Sequence, residues 1–319
     1  MVVARLGRRG LLALLLLLPL PSWALTFALP PSDVDVIGEI KRVRVAEGET
    51  LVEIGRRHDI GYREMAIANP GVDMWVPEPG QRITIPSRFV LPDAPREGIV
   101  LNVAEMRLYY YPEPEPDATP SVETYPISVG RRDWSTPIGE TQIINKTKDP
   151  SWYPPQSIRD EAAAAGREMP QVVPPGPDNP LGRFKMRLGM PGYLIHGTNK
   201  PEGIGMRVTH GCARMNPDDI ESLFPRVTLN TPVRIVNQPV KAGWVAHELF
   251  VEIHPMLEED EAKGINRLAK AVQALSQRLE RMSGVRVDYE RLNRASERRN
   301  GMPSSVSRPR GVARRVPIQ

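Results

Sequence analysis

The chain has 319 residues, 40% of them hydrophobic, with 34 prolines, one cysteine and a formal net charge of +4. That length suits about two domains with packed cores, the prolines favour a strand- and loop-rich body, and a lone cysteine excludes an internal disulfide framework. The charge excess is modest and lacks the basic and aromatic interleaving of nucleic-acid sites, so no nucleic-acid partner is expected.

Taken in chain order, Arg5, Arg8 and Arg9, the apolar run Leu11 to Leu18, and Ser22-Trp23-Ala24 have the layout of an export signal. The apolar run is shorter than the ~20 residues a membrane helix needs and is interrupted by Pro19 and Pro21. Residues 1–24 are expected to be removed, leaving an exported chain without a transmembrane segment. In an oxidising compartment a single thiol is a liability unless it performs chemistry.

After a proline-containing lead, Arg42 to Val45 alternates as a strand and Glu47-Gly48-Glu49 makes a turn. Thr50 and Glu53 have capping-box spacing at the start of a short helix. A second helix over Tyr62 to Ala68 ends at Asn69-Pro70-Gly71, and Gln81 to Pro86 closes as a strand. This β-α-α-β unit, residues 41–87, resembles a LysM domain in its Gly-Glu-Thr-Leu opening, its Ala-Asn-Pro and its final Ile-x-Ile-Pro. The resemblance implies binding to peptidoglycan glycan strands, with the sugar between Gly48-Glu49-Thr50 and Asn69-Pro70-Gly71. The unit carries its own strands and helices and is expected to be separable from the rest of the chain.

From Gly98 the texture is that of strands, over 99–103, 107–111, 124–129 and 141–145. Residues 149–181 form a proline-rich insertion holding Trp152 and Tyr153; so long an insertion suggests a lid over a cleft. A strand ends at His196, a short helix covers Asp218 to Leu223, and strands follow at 232–236 and 248–253. A helix over 258–283 is expected to dock on the body through a stripe of Ile265, Leu268, Val272, Leu275, Leu279 and Met282. The basic tail, 284–319, is rich in Arg, Ser and Pro and is expected to be disordered.

Cys212 lies in Thr209-His210-Gly211-Cys212-Ala213-Arg214-Met215-Asn216, sixteen residues after His196-Gly197-Thr198-Asn199. A thiol needs a nearby base or positive charge to attack as thiolate. His210 shares a strand face with Cys212, and His196 can approach from another strand. Gly211 permits tight geometry beside the sulfur. Imidazole and thiolate also suit zinc. His58, His247 and His254 read as surface or packing residues.

The two runs together, with Ile204-Gly205 between them, resemble the catalytic signature of bacterial L,D-transpeptidases, most closely the periplasmic enzymes of Gram-negative bacteria. Thr136-Pro137-x-Gly139 and Pro177 to Gly182 add to the match. The resemblance implies a mainly β protein: a β-sandwich catalytic domain over 97–237, the small LysM unit before it, and a C-terminal strand and helix over 238–283. Carried over, Cys212 is the nucleophile and His196 its base, with a backbone carbonyl as the third partner because Gly197 has no polar side chain. His210 would support the site, with the main-chain N–H groups of His210, Gly211 and Cys212 facing the oxyanion. Arg214 would hold a substrate carboxylate or fix the loop, with Thr198, Asn199 and Thr209 around the substrate. The implied donor is a peptidoglycan stem tetrapeptide, and the acceptor is a stem amine or an outer-membrane lipoprotein lysine, without metal or cofactor. A hydrolase using water, and a wall-binding protein without catalysis, are the rival readings.

Overall fold

The structure, a computed structural model, describes residues 24–114, 116–280 and 285–308. The export signal, apart from Ala24, lies outside the described residues, as do Met282 and the chain after 308.

The strand Arg107–Tyr111 shows how the parts fit together. All five of its residues are buried. Side chains alternate across a strand, so Leu108 and Tyr110 join one apolar cluster while Tyr109 and Tyr111 join another. The first cluster fills the catalytic body. The second lies between that body and the LysM-like unit. A strand buried on both faces reads as a continuous apolar run, which Leu-Tyr-Tyr-Tyr is.

The main sheet runs in the order Leu25–Ala28, Ser121–Gly130, Ala213–Met215, Leu194–His196, Phe184–Leu188, Gly139–Lys148, Pro232–Val236, Gly98–Asn102, Arg107–Tyr111. Arg107–Tyr111 also pairs with Ser121–Gly130, so the ladder closes on itself. The ten-residue strands Ser121–Gly130 and Gly139–Lys148 each pair with strands of both halves, joining the layers of the sandwich around one core. One pairing brings the signature runs together. Leu194–His196 lies parallel to Ala213–Met215, with Ile195 opposite Ala213 and His196 opposite Arg214. That register sets the two signature runs side by side.

The small unit has the expected β-α-α-β order, Lys41–Arg44, Leu51–Arg57, Tyr62–Ala68 and Arg82–Ile85, with the outer strands antiparallel. The capping box forms: Glu53 N–H donates to Thr50 Oγ1 at 3.1 Å, and Thr50 N–H to Glu53 Oε2 at 2.9 Å. Separability does not hold. Leu51, Ile54, Met65 and Ile83 share one core with Val100, Tyr109, Tyr111 and Val122 of the sheet. Arg107, 0% exposed, donates through Nε and Nη2 to both oxygens of Glu64 at 2.8 Å, and through Nη2 to Asp59 O at 2.8 Å.

The C-terminal region departs from expectation in two ways. The helix over 258–283 is broken: Glu258–Ala262 ends before Gly264, at φ +71°, and Asn266 caps a new helix, Arg267–Leu279. Ala271 and Leu275 face the core, whereas Leu268 and Val272 are 43% and 44% exposed. Within Arg267–Leu279 the buried face is Ala271, Leu275 and Arg278, whose guanidinium pairs with Asp35 and Asp93, so Leu268 and Val272 fall to one side of it.

The basic tail is also folded where described. Tyr289–Arg298 is a helix, and Ser304–Ser305 pairs with Glu248–Ile253. Leu292, Ala295 and Val306 complete a core with Trp244, Leu249 and Val251. Helical spacing of only a few apolar residues, set among many arginines, is enough to bury one face. This lobe is locked to the body by Lys241, whose ammonium meets Glu105 at 2.5 Å and Glu252 at 2.9 Å, with His254 Nε2 on Glu252 at 2.6 Å. His254 is thus a buried polar packing residue.

Deleting residues 41–87 therefore uncovers Tyr109, Tyr111 and Val122 and leaves Arg107 unpaired. The remainder loses the Arg107–Glu64 pair and exposes apolar surface that the shared core had buried. The truncated protein is expected to unfold at markedly lower urea concentration, or not to fold; an unchanged midpoint would contradict the shared core.

Candidate active site

The run around Cys212 is tied down by short hydroxyl side chains. Thr209 Oγ1 donates to Cys212 O at 2.7 Å and accepts the Gly211 N–H at 3.2 Å. Thr136 Oγ1 donates to Gly211 O at 2.8 Å and accepts the Gly130 N–H at 2.9 Å. Gly211 sits at φ +99°, and a Cβ there would lie 2.6 Å from the Tyr193 ring. No other residue fits that turn without displacing the ring. With its N–H bonded to Thr209, Gly211 is removed from the expected set of oxyanion donors.

Cys212 and His196 line one cavity of about 450 Å³, together with His210, Arg214 and Thr209. The insertion supplies the outer wall through Trp152, Tyr153, Pro155 and Ile158, as expected of a lid. Its two ends are stapled by Asn179, 0% exposed, whose Nδ2 donates to Pro150 O, Val173 O and Pro174 O and whose Oδ1 accepts the Leu181 N–H. That is the structural content of the Pro-Asp-Asn-Pro-Leu-Gly run.

His196 is buried at the end of its strand, and its Nδ1 lies 2.6 Å from Gly197 O. A carbonyl can only accept, so Nδ1 carries the hydrogen and Nε2 keeps its lone pair. Burial, reinforced by the Arg214 charge, pushes the imidazole down to about 3, against a pull upward from Gly197 O. It is neutral at neutral pH. Burial likewise pushes the Cys212 thiol up, while the Leu194 N–H and the Arg214 guanidinium pull it down. The resting pair is thiol and imidazole, which suits proton transfer during attack better than a standing ion pair.

His210 occupies a different setting. Its Nε2 lies 2.9 Å from Glu161 Oε2, and Arg131 Nη2 meets the same oxygen at 2.5 Å. Arg131, then His210, hold the Glu161 carboxyl down at about 2. Trp134 packs edge-on to the His210 ring at 5.1 Å. Glu161 belongs to the insertion helix Gln156–Ala164, so this contact fastens the lid to the Cys212 loop. Sequence reasoning missed Glu161, Arg131 and Trp134. An acidic residue beside an alanine run carries no motif, and only the fold brings it to His210.

The remaining expected residues divide. Arg214 lines the cavity, and its buried Nε has no hydrogen-bond partner. Thr198 is buried, and its Oγ1 accepts the Lys200 N–H at 2.9 Å, so it shapes a turn. Asn199 is exposed and donates to Asp178 O at 3.2 Å. In the small unit, Asn69 is buried, donating to Met65 O and Thr84 O and accepting the Thr84 N–H. Glu49 accepts the Ala46 N–H and pairs with Arg57. Asn69, Glu49 and Thr50 thus have their polar groups engaged within the unit, while Gly48 and Pro70 are exposed.

Comparison with known proteins places this geometry. The L,D-transpeptidase catalytic domain profile matches residues 96–235, and the LysM domain profile matches residues 43–86. The chain is 41% identical over 297 residues to the probable L,D-transpeptidase YcfS of Escherichia coli, covering 91% of both chains. The chain belongs to the L,D-transpeptidase family. It is also 38% identical over 296 residues to the probable L,D-transpeptidase ErfK/SrfK of Escherichia coli, covering 90% of this chain and 92% of that one. Likewise it is 38% identical over 290 residues to the probable L,D-transpeptidase YbiS of the same species, covering 88% and 91%. As a family member it carries a LysM domain fused through a common core to the catalytic body.

Arg214 lowers both the Cys212 thiol and the His196 imidazole, so Arg214→Met should move both upward: the thiol further above its ordinary value, the imidazole back toward its own. The alkylation rate of Cys212 by iodoacetamide, followed against pH, should rise only at higher pH in the variant. An unchanged or lower midpoint would remove Arg214 from the electrostatics of the site.

Proposed function

We propose that the protein transfers an acyl group between peptidoglycan stem peptides through Cys212. The observation that carries this reading is one roofed cavity holding both the thiol and an imidazole whose Nδ1 is fixed by Gly197 O. His196 Nε2 takes the thiol proton as Sγ bonds to the carbonyl carbon of the third stem residue. The C–N bond to terminal D-alanine breaks, and the proton passes from His196 to the leaving amine. An incoming amine then bonds to the same carbon, the C–S bond breaks, and the proton returns to Cys212 through His196. Each proton transfer of this kind is worth roughly 10²–10⁴ in rate.

Arg214 is the group suited to the donor's carboxylate, because its buried Nε is free to donate. His210, held by Glu161, orients the loop and lid and is not the base. The acceptor is a stem amine or a lipoprotein lysine; water in its place would make the protein a hydrolase. With the basic start and apolar run of residues 5–18 read as an export signal, the work is done in the periplasm. Among the described residues no helix is long and apolar enough to cross a membrane.

A soluble tetrapeptide donor tests the reading. The wild-type protein should release D-alanine and gain the acyl mass on Cys212, Cys212→Ala should do neither, and His196→Ala should be slower by roughly 10²–10⁴. Equal release by the Cys212→Ala protein would overturn it. Mass spectrometry of wall fragments from cells lacking the protein identifies the acceptor by the linkage that disappears.

A further inference from the structure

The floor of the Cys212 cavity is a row of side chains laid across three strands. Arg214 stands opposite His196 in one pairing, and His196 stands opposite Lys185 of Phe184–Leu188 in the next. Residues directly opposite in neighbouring strands share one face of the sheet. Their neighbours Ala213, Ile195 and Met186 belong to the core beneath. By alternation Arg214, His196 and Lys185 rise on the other face, and all three line the cavity. The imidazole therefore stands between two cations. Adjacent strands are about 4.8 Å apart, so the backbones carrying the two cations are roughly 10 Å apart.

Neither cation is paired. Arg214 Nε is buried without a hydrogen-bond partner, and the Glu202 carboxylate acts on the guanidinium without forming an ion pair. Lys185 is half-buried and, among the described residues, makes no ion pair or side-chain hydrogen bond. Other covered lysines of this body are engaged: Lys241 meets Glu105 and Glu252, and Lys146 donates to Val227 O. No Asp or Glu lines the cavity. The Glu161 carboxylate behind His210 is taken up by Arg131 and His210. Charges withdrawn from water need a partner, so a roofed space with two unpaired cations and no acid suits a ligand carrying two carboxylates.

We propose that Lys185 is a specificity-determining residue that pairs with a second carboxylate of the donor peptide, on the acyl side of the bond that breaks, while Arg214 takes the terminal one. The proposal rests on the reading of the protein as a transpeptidase acting through Cys212 and His196. The terminal carboxylate of a donor sits one carbon from the leaving nitrogen, so it can satisfy a cation on only one flank of the imidazole. The other flank is reached by an acid on the far side of the attacked carbonyl. A peptide donor can carry one there at two places, in the side chain of its third residue or on its second residue. Either would accept from the Lys185 ammonium in a charge-assisted hydrogen bond, roughly twice as strong as a neutral one. An ammonium on a flexible stem needs no fixed two-point geometry to do so. An amide in place of the acid leaves the ammonium unpaired.

D-alanine release from two pairs of soluble tetrapeptides tests the proposal. One pair carries a carboxylate or its amide on the side chain of the third residue, the other pair the same choice on the second residue. Wild-type protein should favour the acid over the amide about tenfold in kcat/KM within one pair, mainly through KM, the scale of one charged hydrogen bond. The pair that shows the preference identifies which acid Lys185 meets. Lys185→Met, which keeps the stem and removes the charge, should bring that ratio close to one, and Lys185→Arg should keep it. Absence of an acid preference in the wild-type protein overturns the proposal. So does a preference that survives in Lys185→Met, with acid and amide donors slowed equally, because Lys185 then acts through His196 or the fold and not on the donor. Release of D-alanine without any preference leaves the transpeptidase reading standing, whereas no release from any of the peptides defeats both.

Discussion

The buried pair between Arg107 and Glu64 is the constraint on which the rest of the arrangement depends. A guanidinium at 0% exposure is tolerated only when its donors are matched, and here the Glu64 carboxylate takes two of them side by side. Glu64 also accepts the Gly61 N–H at 2.8 Å, capping the second LysM helix. One carboxylate thus starts a helix in one domain and neutralises a charge in the next. Because Gly61 and Tyr62 abut Gly205, the same contact fixes the segment joining the His196 and Cys212 runs. A binding domain and a catalytic domain that could have been beads on a string are instead one body.

Within the catalytic cavity the organising effect is the burial of His196 beside the Arg214 charge. The sheet register sets His196 opposite Arg214 and leaves Cys212 just before that pair. The insertion then roofs the space, and burial moves the imidazole and the thiol toward their neutral forms. With the thiol held toward its neutral form, the thiolate forms only as it attacks. The lid is anchored by groups of both kinds: the buried amide of Asn179 at its base, and the Glu161 contact to His210 at its tip.

Much of this was legible in the sequence because it depends on local chemistry. The capping box at Thr50, the strands at 232–236 and 248–253, and the need for a carbonyl beside His196 follow from residue types a few positions apart. The shared core was not, because Tyr109 and Tyr111 look the same whether they face solvent-side packing or a second domain. Leu268 and Val272 misled because the buried face is set by Arg278, paired with Asp35 and Asp93, together with Ala271 and Leu275, and not by the apolar stripe. The tail misled because composition hides Leu292, Ala295 and Val306 among arginines. Glu161 and Arg131 lay out of reach because their meeting with His210 exists only in three dimensions.

The coupling of the two domains through Arg107 and Glu64 is tested most directly by a double-mutant cycle on the intact chain, using Arg107→Leu, Glu64→Leu and both, read by urea unfolding with far-ultraviolet dichroism and tryptophan fluorescence. The account predicts one transition by both probes, single variants destabilised by about 3–5 kcal/mol, and a double variant less damaged than the sum of the two, since neither charge is then left buried alone. Two separate transitions, or strictly additive single effects, would contradict it.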